Sequence, residues 1–305
     1  MKAVICTQYG GPEVLQIQEI AQPVPKGTQI LIKIRATAVN SGDVRVRGLA
    51  VSGFMRLIMR LVLGISKPRN PILGTVFSGE VKRTGSKVTR FKKGDKVFGM
   101  TGFGFSTYAE YLALDQNKNV LEMPQNATFD EAAAIIFGGQ TALYYLESAD
   151  MSKRVNPKIL ILGATGSVGA AALQIAKYNH AHVTAVVSSA GFEWIKNLGA
   201  DDIILYDKEK PYKHKEKFDI IFDAVGKYQK KDFTPLLNPG GIYKSVSSGY
   251  ASENQKQLQT MKDMFEKGAF QATIDQTFPM ENVIEAHRYV DSGRKKGNVV
   301  LKIGE

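Results

Sequence analysis

Residues 158–178, KILILGATGSVGAAALQIAKY, constrain the fold of this 305-residue chain more than any other stretch. A short apolar run, Ile159-Leu160-Ile161-Leu162, ends in three glycines, Gly163, Gly166 and Gly169. Small and apolar residues then recur at helical spacing: Val168, Ala171, Ala172, Ile175 and Ala176. That order predicts a buried parallel strand, a tight turn and a helix packed on the sheet. Glycine suits a sharp turn, a close approach of phosphate to backbone, and close helix–strand packing. The first turn of such a helix offers N–H groups and the positive end of its dipole to an anion. The stretch therefore reads as the pyrophosphate site of a nicotinamide dinucleotide, with a purely structural turn as the alternative.

The alternation continues downstream. HVTAVV at 182–187 is β-branched and apolar, and residues 192–198 have helical spacing before Gly199. Ile203-Ile204-Leu205, FDIIFDA at 218–224 and GIYKSV at 241–246 follow. Five short buried-type strands separated by helices or turns predict a doubly wound parallel sheet, placed at residues 125–260.

Residues 1–124 have a different texture. VLQIQEI at 14–20 and QILIKIRATAV at 29–39 alternate with period two, and Gly and Pro punctuate further strand signals at 79–81, 96–98 and 108–114. Such spacing favours a small β-barrel or sandwich. Thr128 and Glu131 have the spacing of a capping box at a helix start. Residues 281–290 read as one more amphipathic helix and 298–303 as a closing strand.

One apolar segment stands apart, LAVSGFMRLIMRLVLGI at 49–65, with Arg56 and Arg60 four residues apart. It predicts a helical flap packed on the protein, with peripheral contact to an anionic membrane as the other reading. No run reaches the length of a membrane span.

Composition excludes several chemistries. All four histidines (His180, His182, His214, His287) lie beyond the first strand-rich region and Cys6 is the one cysteine, so neither a catalytic nor a structural zinc set is expected. The lone cysteine fits a reducing, cytoplasmic setting. The formal charge of +11 is spread along the chain and accompanies no nucleic-acid-binding motif.

Sites that prefer NAD carry an acid about 20 residues past the first glycine, where it binds the ribose hydroxyl. Here that position reads Val186-Val187-Ser188-Ser189-Ala190-Gly191, and the first acid is Glu193. Loss of the carboxylate removes repulsion against a 2′-phosphate, and serine hydroxyls can donate to it. Tyr206 and Lys208, after the third strand, offer further contacts. The expected cofactor is NADPH (NADP), with a plain polar loop as the alternative for Ser188-Ser189.

Motifs in order along nearly the whole chain carry a resemblance. They include MKAVICTQYGGPEVL at 1–15, VNSGDVRVRG at 39–48, NPILGTVFSGEV at 70–81, FKKGDKVFG at 91–99, GATGSVG at 163–169, FDIIFDAVG at 218–226 and KKGNVVL at 295–301. On these the chain resembles the medium-chain dehydrogenase/reductase superfamily, specifically its zinc-free, zeta-crystallin-like quinone oxidoreductase branch. Zinc members carry Cys and His where this chain has Ser41 and Thr75-Val76. The resemblance implies an α/β fold: a Rossmann doubly wound parallel sheet plus a GroES-like β-barrel catalytic domain, the latter completed by a C-terminal return at 261–305. It also implies a homodimer.

Carried over by motif, Asn40 is the expected catalytic residue, orienting the nicotinamide or a substrate oxygen; a turn residue bonding its own backbone is the alternative. Asp43 reads as structural. The implied cofactor contacts are Asn40, Thr141, Gly163, Thr165, Gly166, Ser167, Val168, Gly169, Ser188, Tyr206, Val225 and Asn298. The expected activity is zinc-independent hydride transfer from NADPH to a small electrophilic acceptor, a quinone or an α,β-unsaturated carbonyl. Ketone or secondary alcohol oxidoreduction, or redox sensing without turnover, are the alternatives.

Overall fold

The computed structural model describes residues 1–49 and 53–304; residues 50–52 and 305, and the side chains of 53–56, lie outside the described residues. Part of the 49–65 segment, Arg56 included, therefore falls outside them. The chain divides into two compact units, residues 1–136 with 274–305, and residues 137–273.

The strands are β1 (Lys2–Cys6), β2 (Leu15–Glu19), β3 (Gln29–Val39), β4 (Val76–Thr84), β5 (Lys96–Met100), β6 (Tyr111–Asp115), β7 (Val120–Glu122), β8 (Lys158–Leu162), β9 (His182–Val187), β10 (Asp202–Leu205), β11 (Phe218–Asp223), β12 (Leu237–Ser245), β13 (Ile274–Pro279) and β14 (Asn298–Lys302). The helices are α1 (Ser41–Gly48), α2 (Gly53–Leu63), α3 (Phe129–Glu147), α4 (Ser167–Tyr178), α5 (Phe192–Asn197), α6 (Lys230–Phe233), α7 (Gln255–Glu266) and α8 (Val283–Asp291).

In the first unit a sheet runs β13-β14-β3-β4-β5-β7, with β6 also on β3, and β1 pairs with β2. All these pairings are antiparallel except β13–β14. β3 is the spine. Its period-two pattern sends Ile30, Ile32 and Ile34 into a core shared with Phe77, Val97, Val299 and Leu301. Each such side chain, fully buried, contributes roughly 1.5–3 kcal/mol. This is the GroES-like unit.

The second unit holds five strands in the order β10-β9-β8-β11-β12, all parallel. Counted along the chain within the unit, that is the 3-2-1-4-5 arrangement of a Rossmann-like sheet. The central strand β8 has Ile159, Leu160, Ile161 and Leu162 all at 0% exposure. An uninterrupted apolar run is what a strand covered on both faces requires. The neighbouring strands reverse order between β8 and β11, so their C-terminal ends flank a crevice, the usual ligand position in such sheets.

Local chemistry explains where helices begin. The Thr128 hydroxyl accepts from the Glu131 N–H (3.2 Å) while the Glu131 carboxylate accepts from the Thr128 N–H (2.9 Å). This reciprocal box satisfies two donors that a helix start leaves open, and α3 follows it.

Candidate cofactor site

The turn from β8 into α4 uses its three glycines for three different physical reasons. Gly163 has φ +77°, and a Cβ there would come within 2.1 Å of Val225 Cγ2. Val225, just past β11, therefore closes over the turn. Gly169 lies inside α4, where a Cβ would meet Gly163 O at 2.3 Å and Ala164 Cα at 2.7 Å, so only glycine lets the helix come this near its strand. Gly166 differs. Its backbone is extended (φ −74°, ψ 166°), and a Cβ would meet nothing nearer than Gly163 O at 3.6 Å.

The space in front of α4 is therefore open at Gly166, the N-cap residue, which supplies no side-chain cap. A helix start with an uncapped glycine, Thr165 before it and Ser167 and Val168 in its first turn, presents N–H groups and a dipole to an anion. These residues fit a dinucleotide pyrophosphate. Gly138 in α3 approaches the same turn, since a Cβ there would meet Ser167 O at 2.4 Å. Thr141 lies three residues on, one helical turn away on the same face, and is 7% exposed.

The end of β9 joins this group. A Cβ on Gly191 would meet the Thr165 methyl at 2.6 Å, so the 188–191 turn packs on the glycine turn. Ser188 heads that turn without a side-chain capping bond, and Gly191 N–H donates to its carbonyl (2.8 Å). Tyr206, 51% exposed, donates its N–H to Val187 O (2.9 Å), which ties the end of β10 to the end of β9.

That tie delivers a residue absent from the sequence expectation. Asp207 accepts from the Ser189 N–H (2.9 Å), and the Ser189 hydroxyl, with the neighbouring Lys208, holds its carboxyl below the usual range. The crevice edge thus carries an acid after all, brought from the third strand rather than the second. Tyr206 and Lys208 flank it in sequence, but only the β9–β10 register sets it beside Ser189.

Beyond β11 the buried Asp223 organises the loop carrying Val225. Its carboxylate accepts from the N–H groups of Val225 (3.0 Å), Gly226 (2.9 Å) and Tyr228 (3.2 Å), and from the Ser245 hydroxyl (3.1 Å). A carboxylate holding this many donors fixes Val225 over Gly163.

The remaining expected contacts belong to the first unit. Val39 pairs with Val299 in antiparallel register, so Asn40 and Asn298 stand opposite one another at one end of β3–β14. They are 4% and 8% exposed. Asn40 is the N-cap of α1: its Oδ1 accepts from Gly42 N–H (2.8 Å) and Asp43 N–H (3.2 Å), and Asp43 returns the bond to Asn40 N–H (3.1 Å). Its Nδ2 donates to the Thr75 hydroxyl (2.8 Å). Asn40 is therefore built into the fold as well as placed at the strand end. The capping role is the turn-residue alternative of the sequence reading, realised in full.

Beneath α1 lies a polar cluster that joins both ends of the chain. Asp43 Oδ2 accepts from the Tyr108 hydroxyl (3.0 Å), and the Tyr108 ring meets His287 edge-on with centroids 5.7 Å apart. Arg47 donates to His287 Nδ1 (2.9 Å), to Asp291 Oδ2 (2.7 Å) and to Gly10 O (3.2 Å). Asp43, Tyr108 and His287 are each 0% exposed. Burial pushes the Asp43 carboxyl up to about 7 and, with the Arg47 charge, the His287 imidazole down to about 3. Both groups are neutral at pH values between those limits, as burial without a full counter-charge demands.

Among the described residues no three His, Cys, Asp or Glu side chains are placed to hold an ion. Cys6 is buried, its thiol pushed up to about 11 by desolvation. Thr75, one of the pair that the resemblance sets against a zinc ligand, uses its hydroxyl to accept from Asn40. The residues present do not fit zinc.

A parallel sheet in this order, with a glycine turn opening on an uncapped helix start, defines a dinucleotide-binding unit, and it is joined in one chain to a GroES-like unit. The family comparisons agree. The Alcohol dehydrogenase GroES-like domain family matches residues 26–125, and the Zinc-binding dehydrogenase family matches residues 244–301. The 2-methylene-furan-3-one reductase of Solanum lycopersicum is 32% identical, across 99% of this chain and 79% of its own. The NADPH-dependent alkenal/one oxidoreductase, chloroplastic, of Arabidopsis thaliana is 28% identical, across 99% and 79%. Among solved structures, the quinone oxidoreductase from Coxiella burnetii superposes with a TM-score of 0.87 at 26% identity, covering 100% of this chain and 99% of that one. The chain belongs to the medium-chain dehydrogenase/reductase superfamily, among the NAD(P)H-dependent oxidoreductases homologous to quinone oxidoreductases and alkenal/one reductases.

Proposed function

We propose that this protein reduces an electron-poor acceptor, an α,β-unsaturated carbonyl or a quinone, with NADPH and without zinc. The observation that supports the proposal most is the open helix start at Gly166, where an added Cβ would meet nothing nearer than Gly163 O at 3.6 Å, which we read as room for a pyrophosphate. With an enone, the bound nicotinamide would supply a hydride to the β-carbon while a proton from solvent reaches the α-carbon, giving the saturated ketone and NADP+; with a quinone, the same hydride and proton would give the hydroquinone.

The chain's own residues hold and orient. Thr165, Gly166, Ser167, Val168 and Gly169 receive the pyrophosphate at the head of α4, and Val225 and Thr141 line the nicotinamide end. Asn40 and Asn298 are proposed as further contacts on the family resemblance alone. With Oδ1 fully engaged, Asn40 faces its ligand through Nδ2, which carries two hydrogens of which Thr75 takes one. The second is the donor we assign to the carboxamide or the substrate oxygen.

The 2′-phosphate would be bound by Ser188, Tyr206 and Lys208, against partial repulsion from Asp207. NADPH is preferred on this reading, but by a smaller margin than an acid-free edge would give. The chain is further proposed to act as a cytoplasmic homodimer on a small molecule, with no nucleic-acid partner.

NADPH oxidation with a panel of quinones, enals, enones and simple ketones tests the proposal. Turnover with enones or quinones and none with saturated ketones supports it. Cofactor binding without turnover on any acceptor would favour a redox-sensing role and sink the reductase assignment.

A further inference from the structure

The apolar segment around α2 is left unused by hydride transfer. Of the exposed large hydrophobic residues described, four cluster within nine positions: Leu57 (56% exposed), Leu61 (58%), Val62 (59%) and Ile65 (70%). Leu57 and Leu61 lie one turn apart on α2 and form a short ridge, and Ile65 follows beyond the helix end, after Gly64 at φ +130°. The opposite side is anchored. Leu63 is buried, the Tyr9 hydroxyl donates to Gly64 O (2.8 Å), and Arg69 N–H donates to Leu63 O (2.6 Å). Asn70 Nδ2 donates to Gly104 O (2.7 Å), tying the end of this segment to the turn that carries Phe103, 60% exposed.

Charge identifies the occupant. From Val44 to Gly79 the chain carries Arg45, Arg56, Arg60, Lys67 and Arg69, besides the buried Arg47 that Asp291 pairs, and not one Asp or Glu. Lys67 and Arg69 are exposed beside the ridge, and Arg60 is half-buried. Arg69 also donates to Leu61 O (2.8 Å), which places a cation at the helix's C-terminal end. A two-fold contact with a second copy would set these cations against their own counterparts, a repulsive arrangement. A small acceptor needs a concave pocket, and a ridge exposed over half its surface supplies none. An anionic bilayer surface satisfies both features, with apolar side chains entering the acyl boundary and cations meeting the headgroups. At eleven residues α2 is about 16 Å long, too short to span.

We propose that α2 and the turn after it form a peripheral docking surface for an anionic lipid bilayer. The test is co-sedimentation of the full-length protein with vesicles of phosphatidylcholine alone and of phosphatidylcholine with phosphatidylserine. Wild type should partition onto the anionic vesicles on the order of tenfold to a hundredfold more than onto neutral ones, and high salt should erase the difference. Leu61→Glu with Ile65→Glu should abolish binding while retaining NADPH oxidation and the wild-type unfolding temperature, since both side chains are exposed. Lys67→Glu should weaken anionic binding alone.

No anionic-vesicle binding at low salt, or binding that survives the double variant, would overturn the proposal. So would a double variant that only converts a larger assembly to monomer, or only raises KM for apolar enones, while vesicle binding stays unchanged.

Discussion

Adding one methyl at each of two glycines separates cofactor binding from folding. At Gly166 an alanine Cβ has ordinary contact distance to its nearest neighbour, 3.6 Å, and the extended backbone suits any residue. Alanine is a poorer N-cap than glycine by about 0.5–1 kcal/mol, and the stiffer unfolded chain returns about 0.4–1 kcal/mol. The net is near zero, so the unfolding temperature should move by less than about 4 °C. On the proposed assignment, the methyl nevertheless stands where the pyrophosphate would approach. Losing one or two charge-assisted hydrogen bonds should raise the NADPH Kd roughly 10- to 100-fold.

Gly169→Ala should do the reverse. Its Cβ would lie 2.3 Å from Gly163 O and 2.7 Å from Ala164 Cα, backbone atoms that cannot rotate aside. Overpacking of this kind costs about 3 kcal/mol, and the helix-propensity gain of alanine offsets about 1. The net loss, about 2 kcal/mol, lowers the unfolding temperature by roughly 4–8 °C. Circular dichroism melts and quenching-free NADPH fluorescence titrations measure both. Wild-type affinity in Gly166→Ala refutes the pyrophosphate assignment, and an unshifted melt in Gly169→Ala refutes the packing argument.

The Asp43–His287 cluster predicts opposed pH effects. Asp43 rises from 3.8 unfolded to about 7 folded, so its contribution is fully present below pH 3.8 and is lost as pH rises toward 7. His287 falls from 6.5 to about 3, so it costs stability at low pH and the cost vanishes as pH rises toward 6.5. Between about pH 4 and 6.5 the two slopes, each ~1.4 kcal/mol per pH unit, cancel. Relative to wild type in urea unfolding, Asp43→Asn should gain stability with rising pH across that window and His287→Gln should lose it; parallel curves would refute the assignment. Arg47→Met strands His287 Nδ1 and the partly exposed Asp291, and should cost about 2–3 kcal/mol in the same assay. At the cofactor edge, Asp207→Asn should tighten NADPH more than NADH, and Ser188→Asp should reverse the preference. An unchanged Kd ratio in both variants removes the 2′-phosphate argument.

Features governed by neighbours in sequence were legible before the structure. β3 spans the residues its alternation marks, and Thr128 and Glu131 form the box their spacing implies. The three inner strands of the parallel sheet, β8, β9 and β11, follow from apolar runs buried along most of their length, whereas the edge strands β10 and β12 are only partly buried. Two strands left no such mark. β13, IDQTFP, is mostly polar and ends in proline, which suits an edge strand. β7 has three residues, too few to show a period.

The site divides along the same line. Each glycine of the turn has its reason within a few residues, except Gly163, whose steric partner Val225 arrives from β11. Asp207 escaped because its relation to Ser189 depends on the register of β10 against β9. Arg47 and His287 are 240 positions apart, so only the paired ends of the first unit unite them. Asn40 carries both roles at once, a cap set by its own sequence and a place beside Asn298 set by β14.

Transfer of label from [4-2H]NADPH to an α,β-unsaturated ketone tests the central claim most directly. Hydride delivery to the activated double bond places one deuterium at the β-carbon of a saturated ketone and none at the carbonyl carbon. Deuterium at the carbonyl carbon, in an allylic alcohol, would contradict it and make this chain a ketone reductase.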